Sequence, residues 1–184
     1  LCVVGATLFG MAAPMLPIQL LWINPGTDSL PALALGSEPL DNDIMDRPPQ
    51  DSSKSFFAGG TGIDIALEGM LIGALSLFAY VAGLHLFPGA SLALGRTMAF
   101  ATQSFCEVIH SLNIRSRRSL LAIGPFSNKK LTLAIFVCIG LQLLVMTIAP
   151  LADIFKIVPM DTTQWLTVAA LALAPIIVME IGKL

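Results

Sequence analysis

Three side chains whose oxygen atoms can bind a metal ion lie close together in an otherwise apolar stretch near the start of the chain. They are Asn24, Thr27 and Asp28. Because they are spaced by three and four residues, a helix would carry all three on one face. Ionisable side chains inside long apolar segments are rare and usually functional. Carboxylate, amide and hydroxyl oxygens are ligands of hard cations, so these residues predict a site for Ca²⁺ or a similar ion.

The backbone around these three residues is predicted to depart from a regular α-helix. Pro25 and Pro31 each lack a backbone N–H, and Gly26 has a low helix propensity. A loosened helix frees carbonyl oxygens that can face a cation. At membrane depth, irregular backbone is tolerated only where it is buried in protein or lines a cavity. The alternative is a simple proline kink in which a neighbouring helix satisfies the carboxylate of Asp28.

A second carboxylate, Glu107, lies in another largely apolar segment. Gln103 and His110 flank it at spacings of four and three residues, so the three side chains form one polar stripe that faces other helices. From these residues alone, Glu107 is either a further metal ligand or a hydrogen-bonded structural residue. His110 and His85 are candidates for proton transfer, although packing and interfacial histidines are the commoner kinds.

The elements that carry these residues are predicted to be membrane helices. Of the 184 residues, 55% are hydrophobic and 12% are charged, whereas a soluble domain usually has about 25% charged residues. This composition excludes an ordinary cytosolic globule, and it excludes intrinsic disorder, which requires a polar and charge-rich chain. The net charge is −2, from 10 basic and 12 acidic residues, so no nucleic-acid partner is expected.

Long uncharged segments predict an all-α bundle of membrane-spanning helices. A helix needs about 20 apolar residues to cross a bilayer, and several segments approach or exceed that length. Pro14 and Pro17 suit a turn between the first two predicted helices. We therefore expect about five full transmembrane helices and part of a sixth. The predicted bounds are 1–13 for the partial helix and 18–36, 63–86, 96–113, 131–149 and 162–182 for the full ones.

The loops predict a multi-pass membrane protein with a defined orientation. Basic residues concentrate in the connections 37–62 and 114–130, which the positive-inside rule places in the cytoplasm. The chain begins at Leu1 inside an apolar run, as if within a helix. We therefore expect a fragment of a larger membrane protein.

Two further patterns predict packing rather than chemistry. Cys2, Cys106 and Cys138 are odd in number, widely spaced and inside apolar runs, so neither a disulfide framework nor a zinc site is expected. Gly69 and Gly73 lie four residues apart in an apolar segment, which favours the close approach of two helices.

The segment 16–36 contains the sequence Pro-Ile-Gln-Leu-Leu-Trp-Ile-Asn-Pro-Gly-Thr-Asp-Ser-Leu-Pro-Ala. It resembles the sixth transmembrane helix of calcium-transporting P-type ATPases, whose pattern is roughly Pro-x-Gln-Leu-Leu-Trp-x-Asn-Leu-Val-Thr-Asp-Gly-Leu-Pro-Ala. Residues 38–49 resemble the next cytoplasmic loop of that family. Residues 96–100 and 126–129 are similar to its eighth helix and to the loop after it, in the same order along the chain.

The resemblance implies the C-terminal membrane region of a pump with ten transmembrane helices. This chain would hold the end of helix five and helices six to ten. The resemblance implies that Asn24, Thr27 and Asp28 are ion ligands. Glu107 matches a carboxylate ligand on helix eight, where many bacterial relatives carry Gln. The family's helix-five carboxylate would lie just before Leu1.

This chain departs from the family pattern at the candidate site. Pro25 and Gly26 stand where the pattern has Leu and Val, and Ser29 stands where it has Gly. Pro25 breaks a helix more strongly than Leu does, which leaves the ligand geometry and the ion preference open.

The resemblance also implies the activity of the parent protein, which is ATP hydrolysis coupled to Ca²⁺ transport across the membrane. Mg-ATP would bind to cytoplasmic domains outside this chain, which lacks the family's Asp-Lys-Thr-Gly phosphorylation motif. No catalytic or cofactor-binding residue is expected here, and the fragment alone should be inactive. Its expected partners are the lipid bilayer and the missing helices and cytoplasmic domains of the same protein. The alternatives are a P-type pump for another cation (Mn²⁺, Na⁺/K⁺ or H⁺), a secondary transporter and a structural membrane fragment.

Overall fold

The computed structural model describes residues 1–37, 61–115, 124 and 126–182, and these residues are mostly helical. The helices are α1 (Cys2–Leu8), α2 (Pro17–Trp22), a π-helical turn (Ile23–Asp28), α3 (Ser29–Leu35), α4 (Thr61–His85), α5 (Leu92–Ile114), α6 (Lys129–Thr147), α7 (Ala149–Phe155) and α8 (Thr162–Gly182). The predicted all-α class is confirmed. Most of the two predicted cytoplasmic loops, 37–62 and 114–130, lies outside the described residues.

Three of the described helical segments are long and apolar enough to cross a membrane. They are Gly62–His85, Lys129–Thr147 and Thr162–Gly182. Helix α5 is of similar length, with 23 residues, but it carries more polar side chains. Helix α2, the π-helical turn and α3 follow one another without interruption and form one continuous helical run. These elements are the helices of the predicted membrane bundle.

Two elements differ most from the predicted bounds. Helix α1 ends at Leu8 instead of continuing to residue 13. The reason is that Gly10 adopts a φ of +65°, a left-handed conformation that ends a helix. Helix α7 lies between the fourth and fifth full predicted helices, where the sequence predicts only a loop, and Pro150 occupies its first turn.

Helix α5 lies at the centre of the bundle and packs against α4 and α8. A Cβ atom on Gly83 of α4 would lie 2.6 Å from the Cα of Gly95 of α5, so the two helices cross in direct backbone contact. A Cβ atom on Gly73 would lie 2.9 Å from the Cβ of Leu1, and one on Gly69 would lie 3.3 Å from the Cδ1 of Leu1. The close helix approach predicted for this pair of glycines is therefore confirmed. The three cysteines are buried and free.

The connection between α1 and α2 is held by the two central helices. The hydroxyl of Tyr80 in α4 donates to the carbonyl of Ala12 at 2.8 Å. The guanidinium Nε of Arg96 in α5 donates to the carbonyl of Ala13 at 2.9 Å. These two hydrogen bonds fix the point at which α2 begins, and α2 leads directly into the residues of the candidate site.

The short helix α7 fixes α2 from the other side. The side-chain amide of Gln19, which is fully buried, donates to the backbone carbonyl of Phe155 at 3.0 Å. The ring of Phe155 meets the indole of Trp22 edge to face, with a centroid distance of 5.5 Å. It also stacks on Phe100 of α5 at 6.1 Å. The insertion of one aromatic side chain therefore joins α2, α5 and α7.

Candidate cation site

The predicted break in the helix takes the form of a π-helical turn over Ile23–Asp28. Pro25 has no N–H, and in a regular α-helix its ring would collide with the carbonyl group four residues earlier. The wider π-helical turn relieves this conflict without ending the helical run. Such turns are rare in proteins, and those that occur often lie at functional sites.

Two hydroxyl groups bind carbonyl oxygens within this turn. The hydroxyl of Thr27 donates to the carbonyl of Ile23 at 2.7 Å. The hydroxyl of Ser29 donates to the carbonyl of Asn24 at 3.1 Å. Side chains thus supply hydrogen bonds at a place where the proline and the change of helix type disturb the backbone ladder.

Gly26 allows the turn to lie directly against the indole of Trp22. A Cβ atom at this position would lie 2.8 Å from Cε2 and 3.0 Å from Cδ2 of the indole. The indole nitrogen donates in turn to Oε1 of Gln142 in α6 at 2.9 Å. The turn is therefore anchored to a neighbouring helix through an aromatic side chain that only glycine accommodates at this distance.

The π-helical turn and α5 line one cavity of about 510 Å³. Its polar lining includes Asn24 and Asp28 from the turn and Gln103 and Glu107 from α5. The structure thus brings together three of the four ligands expected from the sequence. Thr27 is the exception: it does not line the cavity, its side chain is 1% exposed, and its hydroxyl is bound by the backbone.

Apolar residues from α1, α2 and α4, among them Ile72, form the remaining walls of this cavity. When Asp28 and Glu107 are both ionised, the repulsion between the two carboxylates favours a cation between them. Within the described part of the chain, no three His, Cys, Asp or Glu side chains form a group that could hold a metal ion. The cavity therefore offers an incomplete set of candidate ligands, made of the carboxylates of Asp28 and Glu107 and the amide of Asn24, with the amide of Gln103 beside Glu107.

The carboxylate of Glu107 has one bound oxygen and one free oxygen. The amide nitrogen of Gln103, one turn earlier on α5, donates to Oε1 of Glu107. Oε2 is buried and has no hydrogen-bond partner among the described residues. A buried acceptor without a donor is unfavourable and calls for an explanation, which a bound ion would supply.

The predicted polar stripe on α5 divides into two parts. Gln103 and Glu107 face the cavity, whereas His110 is not part of its lining. Nε2 of His110 lies 3.2 Å from Oε2 of Glu68 and joins α5 to α4. His85 is exposed at the end of α4. Proton transfer by either histidine stays a prediction.

Sequence reasoning did not identify the contribution of Ser76. Its hydroxyl oxygen lies 2.7 Å from Oε1 of Gln103, across the contact between α4 and α5. The two residues are 27 positions apart, so no local spacing signals the contact. A serine in an apolar helix is a weak signal by itself, because such hydroxyls often bind only their own helix backbone.

Comparison with known proteins identifies the family. Residues 12–184 match the family described as cation transporting ATPase, C-terminus. A calcium-transporting ATPase of Bacillus cereus is 37% identical over 97% of this chain and 22% of the relative. One of Bacillus subtilis is 35% identical over 92% of this chain and 19% of the relative. One of Listeria monocytogenes is 36% identical, also over 92% of this chain and 19% of the relative.

The chain thus spans about a fifth of the length of these curated relatives. The match extends over nearly all of the chain and includes every helix from α2 onward. The apolar helices and the family together show a multi-pass integral membrane protein. The chain therefore belongs to the family of cation-transporting ATPase C-terminal membrane domains.

Proposed function

We propose that this chain is the ion-binding membrane part of an ATP-driven calcium pump. The observation that carries the proposal is the shared cavity, in which Asn24 and Asp28 of a broken membrane helix meet Glu107 of the central helix. Carboxylate and amide oxygens suit a hard cation such as Ca²⁺. The relatives named above as calcium-transporting ATPases support the same ion.

Each ligand has a distinct role in this proposal. Asp28 and Glu107 supply the negative charge, and Asn24 supplies a neutral amide oxygen. Thr27 belongs to the proposed set through its hydroxyl oxygen, which donates its hydrogen to the carbonyl of Ile23 and keeps its lone pairs for an ion. Ca²⁺ takes six to eight oxygen ligands, so backbone carbonyls, water or residues outside this chain complete the shell.

The open face of the cavity supports a larger assembly. Asn24 and Asp28 are exposed, although they lie in the middle of a continuous helical run. An exposed carboxylate inside a bilayer is costly, so further helices of the same protein must cover this face. In this proposal, cytoplasmic domains bind Mg-ATP and become phosphorylated, and loops 37–62 and 114–130 face them from the membrane. Phosphorylation then shifts the helices between states of different ion affinity.

The test uses the full-length protein in membranes. Formation of an acid-stable phosphoenzyme from labelled ATP is followed while free Ca²⁺ is titrated. We expect phosphorylation that rises and saturates with Ca²⁺ in the wild type and is abolished by Asp28→Asn, because the substitution removes one of two charges that hold the ion. Asp153→Asn is the matched control, since Asp153 is exposed on α7 and does not line the cavity.

Three other results would contradict the proposal in different ways. Calcium dependence retained by Asp28→Asn would exclude Asp28 as a ligand. Phosphorylation that saturates with Mn²⁺, Na⁺, K⁺ or H⁺ but not with Ca²⁺ would keep the pump and change the ion. If the folded full-length protein forms no phosphoenzyme with any cation, the remaining alternatives are a secondary transporter and a structural membrane protein.

A further inference from the structure

We propose that Gln103, held by Ser76, positions Glu107 for ion binding, an inference that rests on the proposed function. The three side chains form a continuous chain of hydrogen bonds across the contact between α4 and α5. The hydroxyl of Ser76 lies 2.7 Å from Oε1 of Gln103, and Nε2 of Gln103 lies 2.5 Å from Oε1 of Glu107.

The chemistry of the partners fixes the orientation of the amide. A carboxylate oxygen only accepts hydrogen bonds, so the amide nitrogen of Gln103 must face Glu107. The amide oxygen then faces Ser76. The single hydroxyl hydrogen of Ser76 has two acceptors in reach, Gln103 Oε1 at 2.7 Å and the carbonyl of Ile72 at 2.8 Å. The carbonyl of Ile72 also accepts a backbone hydrogen bond within the α-helix. The amide oxygen of Gln103 has no such backbone donor, so the Ser76 hydroxyl is assigned to it.

Burial makes this arrangement stiff. Ser76 is fully buried, and Gln103 and Glu107 are both partly buried beside it. Hydrogen bonds to a charged group are stronger than neutral ones, and apolar surroundings strengthen them further. The amide of Gln103 therefore has one orientation when Glu107 is ionised.

The two carboxylate oxygens of Glu107 therefore have different contacts. Oε1 is occupied by Gln103, so the carboxylate cannot rotate freely, and Oε2 stays buried without a partner among the described side chains. Glu107 is thereby prepared to bind an ion through one oxygen. Gln103 itself is a positioning residue and no ligand, because its oxygen faces Ser76 and its nitrogen carries hydrogens.

The experiment compares variants of the full-length protein by Ca²⁺ titration of the phosphoenzyme. Gln103→Met keeps the length of the side chain and removes its hydrogen bonds. Loss of a group that orients a metal ligand typically weakens binding about 10–100-fold, so we expect about a tenfold higher Ca²⁺ requirement with an unchanged maximum. Ser76→Ala should act in the same direction with a smaller shift, and Ser76→Thr should restore the wild-type value. Ser111→Ala, another buried serine, is the matched control.

The same substitutions made in a Glu107→Gln variant distinguish an effect on the orientation of Glu107 from an effect on helix packing. With Glu107→Gln present, neither Gln103→Met nor Ser76→Ala should change the Ca²⁺ requirement further, because the charged group that they orient is gone. The Ca²⁺-dependent rise in the unfolding temperature of the purified protein reports binding even where phosphorylation is lost.

Several results would overturn the inference. An unchanged Ca²⁺ requirement in Gln103→Met would show that orientation does not matter. An equal shift in the Glu107→Gln background would show a packing effect. A shift in Gln103→Met without one in Ser76→Ala would show that Ser76 does not hold Gln103 in place. Absence of calcium dependence in the wild type would refute the proposed function itself. If the wild type depends on Ca²⁺ and Asp28→Asn abolishes phosphorylation, but Gln103→Met and Ser76→Ala leave the Ca²⁺ requirement unchanged, only the positioning role is refuted.

Discussion

Replacing Gly26 by Ala adds one methyl group at the closest contact of the π-helical turn. The added Cβ would lie 2.8 Å from Cε2 of the Trp22 indole, a distance that packed side chains do not tolerate. The indole has little room to move. Its nitrogen is bound to Gln142, and its edge packs against the ring of Phe155.

Effects of opposite sign decide the outcome of this substitution. Exchange of Gly for Ala inside a helix gains about 1 kcal/mol of helix propensity. Overpacking costs about 1–3 kcal/mol. If the indole moves, Gln142 loses its partner while fully buried, and an unmade buried hydrogen bond costs about 1–3 kcal/mol. We therefore expect a net destabilisation of about 3 kcal/mol, since the two costs together exceed the propensity gain.

The assay is thermal unfolding of the purified full-length protein in detergent, with Gly140→Ala as the matched control. Gly140 lies in α6, and a Cβ atom there would meet nothing within 4 Å. Its substitution should leave the unfolding temperature unchanged or raise it, while Gly26→Ala lowers it. Equal unfolding temperatures for the two variants would refute the reasoning, because they would show that the indole does not fix the turn.

Two further predictions concern the packing and the helix ends. Gly83→Ala should lower the unfolding temperature more than Gly26→Ala, because its Cβ would lie 2.6 Å from a backbone atom of Gly95; a smaller effect would show that α4 and α5 can separate without penalty. At the start of α8, hydrogen bonds from the hydroxyl of Thr163 and the backbone N–H of Gln164 hold the pKa of Asp161 below its ordinary value of 3.8. The cap therefore stabilises α8 above that value and is lost as the pH falls through the lowered pKa, so the protection of the first-turn amides of α8 against exchange, taken relative to the intrinsic rate at each pH, should fall only in that acidic range. Asp161→Asn should remove this pH dependence, and a loss of protection that persists in Asp161→Asn would assign it to another group.

The helical bundle follows from the sequence because membrane helices are encoded locally. Long apolar runs and their charged flanks predict the class of fold, and the structure confirms it. The differences arise where a single residue outweighs the pattern. Gly10 ends α1 early through its left-handed φ, although the apolar run continues beyond it. Helix α7 is seven residues long and too short for a periodic signal, and contacts of Phe155 with distant helices accompany it.

The candidate site is predictable only as far as its residues share a helix. Asn24 and Asp28 are four positions apart, so their common face follows from helical geometry. Their meeting with Glu107 needs the tertiary structure, and the sequence suggested it only through a family resemblance. Thr27 shares the spacing but is buried outside the cavity lining, which depends on the packing of neighbouring helices.

The anchoring of the site indicates how this chain would act within a pump. The π-helical turn is fixed from outside the cavity, through Trp22 and Gln142, and Glu107 is fixed from behind, through Gln103 and Ser76. Neither set of contacts uses Oε2 of Glu107 or the side chains of Asn24 and Asp28. Under the proposed function, these helices therefore present a preformed part of the coordination shell. Ion binding then costs less conformational entropy, because these ligands are already ordered. Changes in affinity during transport would then come from parts that approach the open face of the cavity, since that face is the side on which Asn24 and Asp28 are exposed.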